Sequence, residues 1–184
     1  MRTLTQGIER LERWYPNLFL EPHIVAAVAV LSEDSDSPAT FGVRSENVPQ
    51  LSDGEEETRL DLTWRPATEE KADRLRATMQ RRPVVELAAT AVALVVARRV
   101  LDLGQVDVTT FGDRADFRSS RQRCVLEISG TEVVGEFDRR HRQKVAQALA
   151  NPFGWDVFVV VCLFSAEGHR IRLSGHKTPE ESDA

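Results

Sequence analysis

The stretch "RCVLEISGTEVVGEFDRRHRQKVAQALANPFGWDVFVVVCLFS", from Arg123 to Ser165, decides the fold. Its first part, "RCVLEISG", has the length and apolar content of a strand. "GEFDRRHRQKVAQALA" then shifts to helical spacing, and "WDVFVVVCLFS" is an unbroken apolar run of the kind found in strands buried on both faces. Strand, helix and strand in that order make a crossover unit, so the two strands are expected to be parallel with a right-handed connection.

The reading extends outward on both sides. Upstream, "VDVTTF" and "RADFR" read as short strands joined at Gly112-Asp113, a two-residue hairpin turn, with "RSSRQR" as the loop to the next strand. Before them lies a helix opened by Pro83 and closed by Gly104. Its apolar run, Val84 to Ala97, is too short for a membrane span, contains Glu86 and runs into Arg98 and Arg99, so it reads as a core helix. Another helix is expected from Pro66 to about Gln80, with Thr68 as a cap and Glu69 and Glu70 at the positive end of its dipole.

Nearer the N-terminus, Leu4, Ile8 and Leu11 suggest a short amphipathic helix over residues 4–14. "HIVAAVAVLS" reads as a strand, with a helix as the alternative, and "SEDSDSPA" as a loop. "TFGVRSE" and "TRLDLTW" read as strands either side of the acidic turn "SDGEEE". After Ser165, "HRIRLS" suggests an edge strand and "HKTPEESDA" a disordered end. The expected fold class is α/β (α+β): a mixed β-sheet flanked by helices. The expected division is a β-rich N-terminal extension over residues 1–66, an α/β core over 67–174 and a tail over 175–184.

At 184 residues and 41% hydrophobic content, the chain is long enough for a real core, which excludes the disordered class. A net charge of −5 excludes a uniformly basic surface. Basic residues nevertheless outnumber acidic ones between Arg114 and Lys144, so any affinity for nucleic acid must be local. Cys124 and Cys162 each fall inside an expected strand, which fits free thiols in a reducing compartment and no zinc or disulfide framework. The N-terminal stretch has no apolar signal-peptide core, so a cytoplasmic location with no membrane partner is expected.

Side chains alternate along a strand, so Val125, Glu127 and Ser129 share one face of "CVLEIS" and Cys124, Leu126 and Ile128 the other. Glu127 is then a carboxylate amid apolar residues, where an unpaired charge costs several kcal/mol. It needs a metal, an Arg or solvent at the strand end. Asp116, in the neighbouring strand, is placed in the same way. Two converging carboxylates suit Mg²⁺, which takes oxygen ligands and keeps waters that a phosphate displaces; the other reading is an edge carboxylate paired with a nearby Arg.

From Pro83 to Ser165 this arrangement resembles the PD-(D/E)XK nuclease superfamily: a helix bearing Glu86, a hairpin with Asp116 in "RADF", the strand "VLEISG" with Glu127, a helix and a buried strand. The resemblance implies a restriction-endonuclease-like core, with Asp116, Glu127 and Glu86 as ligands to Mg²⁺ or Mn²⁺. An acid at the start of a helix also has a purely structural reading. Ser129 stands where the family pattern has Lys, so either the lysine has migrated or catalysis is lost. On the following helix, Phe137, His141, Val145 and Ala148 form the buried stripe, and Lys144 lies at its edge. There Lys144 either reaches solvent or lays its stem along the core and presents its ammonium to the carboxylates. His141 reads as a satisfied core histidine.

Arg114, Arg118, Arg121 and Arg123 flank the hairpin and the loop to Glu127. They read either as a clamp on nucleic-acid phosphates or as a solvated loop. Two functions follow: a metal-dependent nuclease, or a catalytically degenerate nuclease-like fold serving as a binding or assembly module. For the first, the resemblance implies a homodimer; in the second, the N-terminal extension makes the contacts with a partner protein.

Overall fold

The structure, a computed structural model, describes residues 2–48, 58–110 and 112–178. In chain order its first half comprises β1 (Arg2–Gly7), α1 (Leu11–Trp14), α2 (Glu21–Leu31), β2 (Ala39–Glu46), β3 (Thr58–Thr63), α3 (Pro66–Thr78) and α4 (Arg81–Arg99). The second half comprises β4 (Asp107–Val108), β5 (Phe117–Ser119), β6 (Cys124–Thr131), α5 (Phe137–Leu149), β7 (Asp156–Leu163) and β8 (His169–His176). The strands of the described residues join one mixed sheet of eight, ordered β1-β3-β2-β8-β7-β6-β5-β4.

The crossover unit is present as expected. β6 and β7 are parallel, with Glu127 beside Val159, and α5 connects them. All eight residues of β6 are buried. Its two faces meet different partners: Cys124, Leu126 and Ile128 join the core under α2 and α4, while Val125 joins Val157, Val159 and Val161 under α5. α4 has nothing but buried residues from Ala91 to Ala97, because α2 and the sheet both pack on it. No helix of the described residues is long and apolar enough to cross a membrane.

Several expectations need correction. Residues 2–7 form a strand parallel to β3, and helical turns begin only at Ile8. The spacing of Leu4, Ile8 and Leu11 fits a helix, but β-branched Thr3 and Thr5 and a free sheet edge favour a strand. "HIVAAVAVL" is part of helix α2; every residue from Ile24 to Leu31 is buried, so no polar face marks its period, and its alanines favour the helix. Thr68 caps nothing; its hydroxyl donates to Glu9 at 2.8 Å, and Pro66 opens α3. α4 ends before Val100, with Asp102 in the left-handed region (φ 52°), so Gly104 is not its stop.

The hairpin turn is longer than two residues. β4 and β5 pair only at Asp107–Arg118 and Val108–Phe117, and Asp113 accepts hydrogen bonds from the backbone and hydroxyl of Thr110 inside the loop. β8 is central rather than an edge, since β2 pairs with it in parallel. The strands expected in an N-terminal extension thus continue the same sheet. The "SDGEEE" turn lies outside the described residues; of the expected tail, Gly175 and His176 belong to β8, and residues 179–184 lie outside.

Gly130 sets the approach of α4 to β6, because a Cβ there would lie 2.7 Å from the Val85 carbonyl oxygen and 3.0 Å from Ala89. Gly130→Ala is expected to cost about 1–3 kcal/mol through overpacking, read as a lowered Tm. Gly135→Ala, whose Cβ would meet nothing within 4 Å, should leave Tm nearly unchanged. Leu94→Asp, which forces a charge into the helix–sheet core, is expected to abolish soluble folding.

Candidate functional site

β5 is only three residues long and pairs with β6 no further than Leu126. Beyond that point the outer edge of β6 has no strand partner among the described residues, and its N–H groups need other acceptors. Two carboxylates supply them. Asp116 Oδ2 accepts from the Ile128 N–H at 2.7 Å, and Glu86 Oε2 accepts from the Gly130 N–H at 3.0 Å. Asp116 lies just before β5 rather than within it. Glu86 is in the second turn of α4, which starts at Arg81, so the helix dipole does not account for it.

The register continues one step past β5 to set Asp116 opposite Glu127. Phe117 faces Leu126, and the Asp116 N–H donates to the Leu126 carbonyl at 3.1 Å. Directly opposed residues of antiparallel strands project to the same side. That side is the α5 face, where Glu127 is fully buried and its Oε1 accepts from the Lys144 ammonium. Its Oε2 is buried with no hydrogen-bond partner among the described residues. Lys144 therefore lays its stem along the core and meets the strand carboxylate, the second of the two expected geometries.

Burial, together with the negative charge of Asp116, pushes the Glu127 carboxyl up to about 7, against the pull of Lys144. Asp116 is also raised. Asp116 is an exposed residue, and partial loss of water round its carboxyl is the main cause, opposed by the Ile128 N–H and the charge of Lys144. His141 is the satisfied core histidine the spacing implies: its Nε2 pairs with Ser174 Oγ at 2.8 Å, and burial beside Arg172 lowers its pKa to about 4.

Arg140 is the residue that sequence reasoning missed. From α5 its guanidinium reaches round the open edge of β6 to Glu86 (3.4 Å), the Ser129 hydroxyl (3.4 Å) and the Gly130 carbonyl (3.1 Å), while its Nε meets Glu136 at 3.3 Å. The signal was its position four residues before Lys144, on the same side of one helix. Together with Arg82, Arg139, Lys144, Ser129 and Glu136, Arg140 lines a shallow groove of about 310 Å³.

The four arginines fall on three segments, Arg114 before β5, Arg118 in β5, and Arg121 and Arg123 between β5 and β6. Arg118 lies over the Phe153 ring, 5.4 Å from its centroid. Arg121 and Arg123 precede the start of β6, and Arg123 lies about 13 Å along the strand from Glu127 at about 3.3 Å per residue. Arg114 is two residues before Asp116, exposed and in the left-handed region (φ 57°).

Among the described residues no three or more His, Cys, Asp or Glu side chains gather into a group able to hold a metal ion. Glu86 is drawn to Gly130 and Arg140. Asp116 and Glu127 remain as a two-carboxylate pair with the unpartnered Glu127 Oε2, a donor set that fits a hard cation completing its shell with water and phosphate oxygens.

The raised Glu127 carboxyl has a definite sign in stability. The folded chain holds its proton up to about pH 7, the unfolded chain only up to about 4.5. The stability this confers is full below the lower value and lost as pH rises through 7. His141 acts oppositely and at lower pH, so the comparison is with Glu127→Gln. Between pH 5 and 8 the wild-type Tm is expected to fall relative to that of Glu127→Gln. A constant difference across the range would mean that Glu127 stays ionised throughout.

Comparison of the chain with protein-family models, with curated proteins and with solved structures found no match, so the functional reading rests on the geometry of this site.

Proposed function

We propose that this chain is a metal-dependent nuclease-like domain acting on nucleic-acid phosphodiesters, with a core of the restriction-endonuclease-like kind running from α4 through β5, β6 and α5 to β7. The observation that carries the reading is the cross-strand pair of Asp116 and Glu127, with one Glu127 oxygen buried and unpartnered and the Lys144 ammonium on the other. Asp116 and Glu127 would hold Mg²⁺ or Mn²⁺, which when bound activates a water and offsets charge on the phosphate.

The chain's own residues have distinct tasks. Glu127 has to ionise to serve as a ligand, so metal affinity rises with pH around 7. Lys144 takes the place of the lysine that the family pattern puts at Ser129: its ammonium offers fixed positive charge where negative charge develops. The Ser129 hydroxyl, within 3.4 Å of Arg140, helps hold that guanidinium at the groove floor.

A second reading has support of its own. Asp116 Oδ2 and Glu86 Oε2 are both spent on backbone N–H groups of β6, and Lys144 already faces Glu127. In that reading the carboxylates seal a strand edge, and the domain is a degenerate relative that binds or assembles.

The deciding experiment is incubation with plasmid, single-stranded DNA and RNA in Mg²⁺ or Mn²⁺ against EDTA. Asp116→Asn keeps an acceptor for the Ile128 N–H while removing the charge, and is expected to abolish metal-dependent cleavage without unfolding the chain. Lys144→Ala is expected to lower cleavage by roughly a hundredfold, the scale of losing one charge-stabilising group, and Ser129→Lys to restore part of it. Metal should also raise Tm in wild type and not in Glu127→Gln. No cleavage and no metal-induced shift in wild type would establish the edge-sealing reading.

A further inference from the structure

The groove beside the carboxylate pair has a chemistry of its own. Four cations line it, Arg82 from the first turn of α4 and Arg139, Arg140 and Lys144 from α5, against the single carboxylate of Glu136. They are not equally committed. Arg140 is held by Glu86, Ser129 and Gly130, and Lys144 by Glu127. Arg81 is taken by Glu33 and Glu132, whereas Arg82 beside it forms no salt bridge among the described residues. Arg139 meets only Glu136, at 3.0 Å and largely exposed, a type of pair that holds the side chain by well under about 1 kcal/mol. Arg82 and Arg139 are therefore the cations free to take a ligand.

The groove wall on α5 is periodic. Arg139, Gln143 and Gln147 recur every four residues, so they form a row on one side of the helix about 12 Å long at about 1.5 Å per residue. That length matches three to four base-pair steps along a duplex axis, at about 3.4 Å of rise each. Side-chain amides and guanidinium groups are donors to phosphate oxygens. Among the described residues no aromatic side chain lines the groove, so they offer no platform for unstacked bases. The chain as a whole carries a net charge of −5, so this patch is a local positive field on an acidic protein.

We infer that Arg82, Arg139, Gln143 and Gln147 form a sequence-independent seat for the sugar–phosphate backbone of a nucleic-acid duplex, and that the hairpin arginines take no part. The inference deepens the nuclease reading, which alone supplies a role for the phosphate lying nearest Lys144; binding in the groove does not require cleavage.

The test is fluorescence anisotropy of the full chain with a labelled 20-base-pair DNA duplex of arbitrary sequence. It is run in EDTA across a KCl series and repeated with a second sequence and with the single strand. Wild type should bind both duplexes alike and more tightly than the single strand. Arg82 and Arg139 are exposed, so the double variant R82A/R139A should stay folded. It should weaken duplex binding at least tenfold, and the slope of log K against log salt should become shallower by about 2, roughly 0.9 per lost phosphate contact. R121A/R123A should bind as wild type. No duplex binding at low salt, an unchanged R82A/R139A, a loss that follows Arg121 and Arg123, or preference for the single strand would each overturn the assignment. Because EDTA removes cleavage from the readout, an inactive wild type that still binds through Arg82 and Arg139 would refute the nuclease reading and leave the groove in place.

Discussion

Glu127 is a carboxylate with no exposure, set in a strand packed by helices on both faces. An isolated charge in such a place costs several kcal/mol, and the chain meets that cost in two ways. Lys144 crosses from α5 to one oxygen, and the carboxyl itself is shifted so that it stays protonated to about pH 7. The docking of α5 is tied to this contact. The helix must present Lys144 to the strand while also burying His141 and Ala148. A purely apolar strand would bury as well with less constraint on the register of the helix above it.

The shortness of β5 sets the rest of the site. Had it continued alongside β6, a neighbouring strand would have taken the Ile128 and Gly130 N–H groups, and no side chain would be needed at that edge. Because it stops, carboxylates from two different elements bend in to satisfy them, Asp116 from the hairpin loop and Glu86 from α4. Arg140 then balances Glu86 from the opposite layer, tying both helical layers together around the strand edge. Sealing the edge and gathering the charges are consequences of one geometric fact. An open edge closed by side chains also discourages pairing with another chain.

The N-terminal half bears on the site only indirectly. Its strands widen the sheet on the side of β8, and α2 supplies the surface on which α4 rests. Arg81, at the start of α4, bonds both Glu33 after α2 and Glu132 after β6. These pairs lie at the end of α4 that carries Arg82 and, one turn on, Glu86. The groove is therefore lined from two helices, with Arg82 from the start of α4 and the other cations from α5, and sites built on helices are more precise than sites on loops.

The sequence by itself determined the elements with unambiguous periods. These were the β6–α5–β7 crossover, the buried helix α4, the split of β6 into two faces and the helix stripe with Lys144 at its edge, because alternation and helical spacing are local properties of the chain. It also singled out Glu127 and Asp116, since a carboxylate among apolar residues is visible without coordinates. Tertiary structure alone decided what local pattern leaves degenerate. A uniformly apolar segment such as Ile24–Leu31 has no polar face to reveal its period, and the helical spacing of Leu4, Ile8 and Leu11 runs across the boundary between β1 and the turns that begin at Ile8. The central place of β8 depends on β2 arriving from far along the chain. Arg140 and Arg82 were not legible as parts of the site because they meet it only where two layers converge round a strand edge, and long-range convergence of that kind is written in no local spacing.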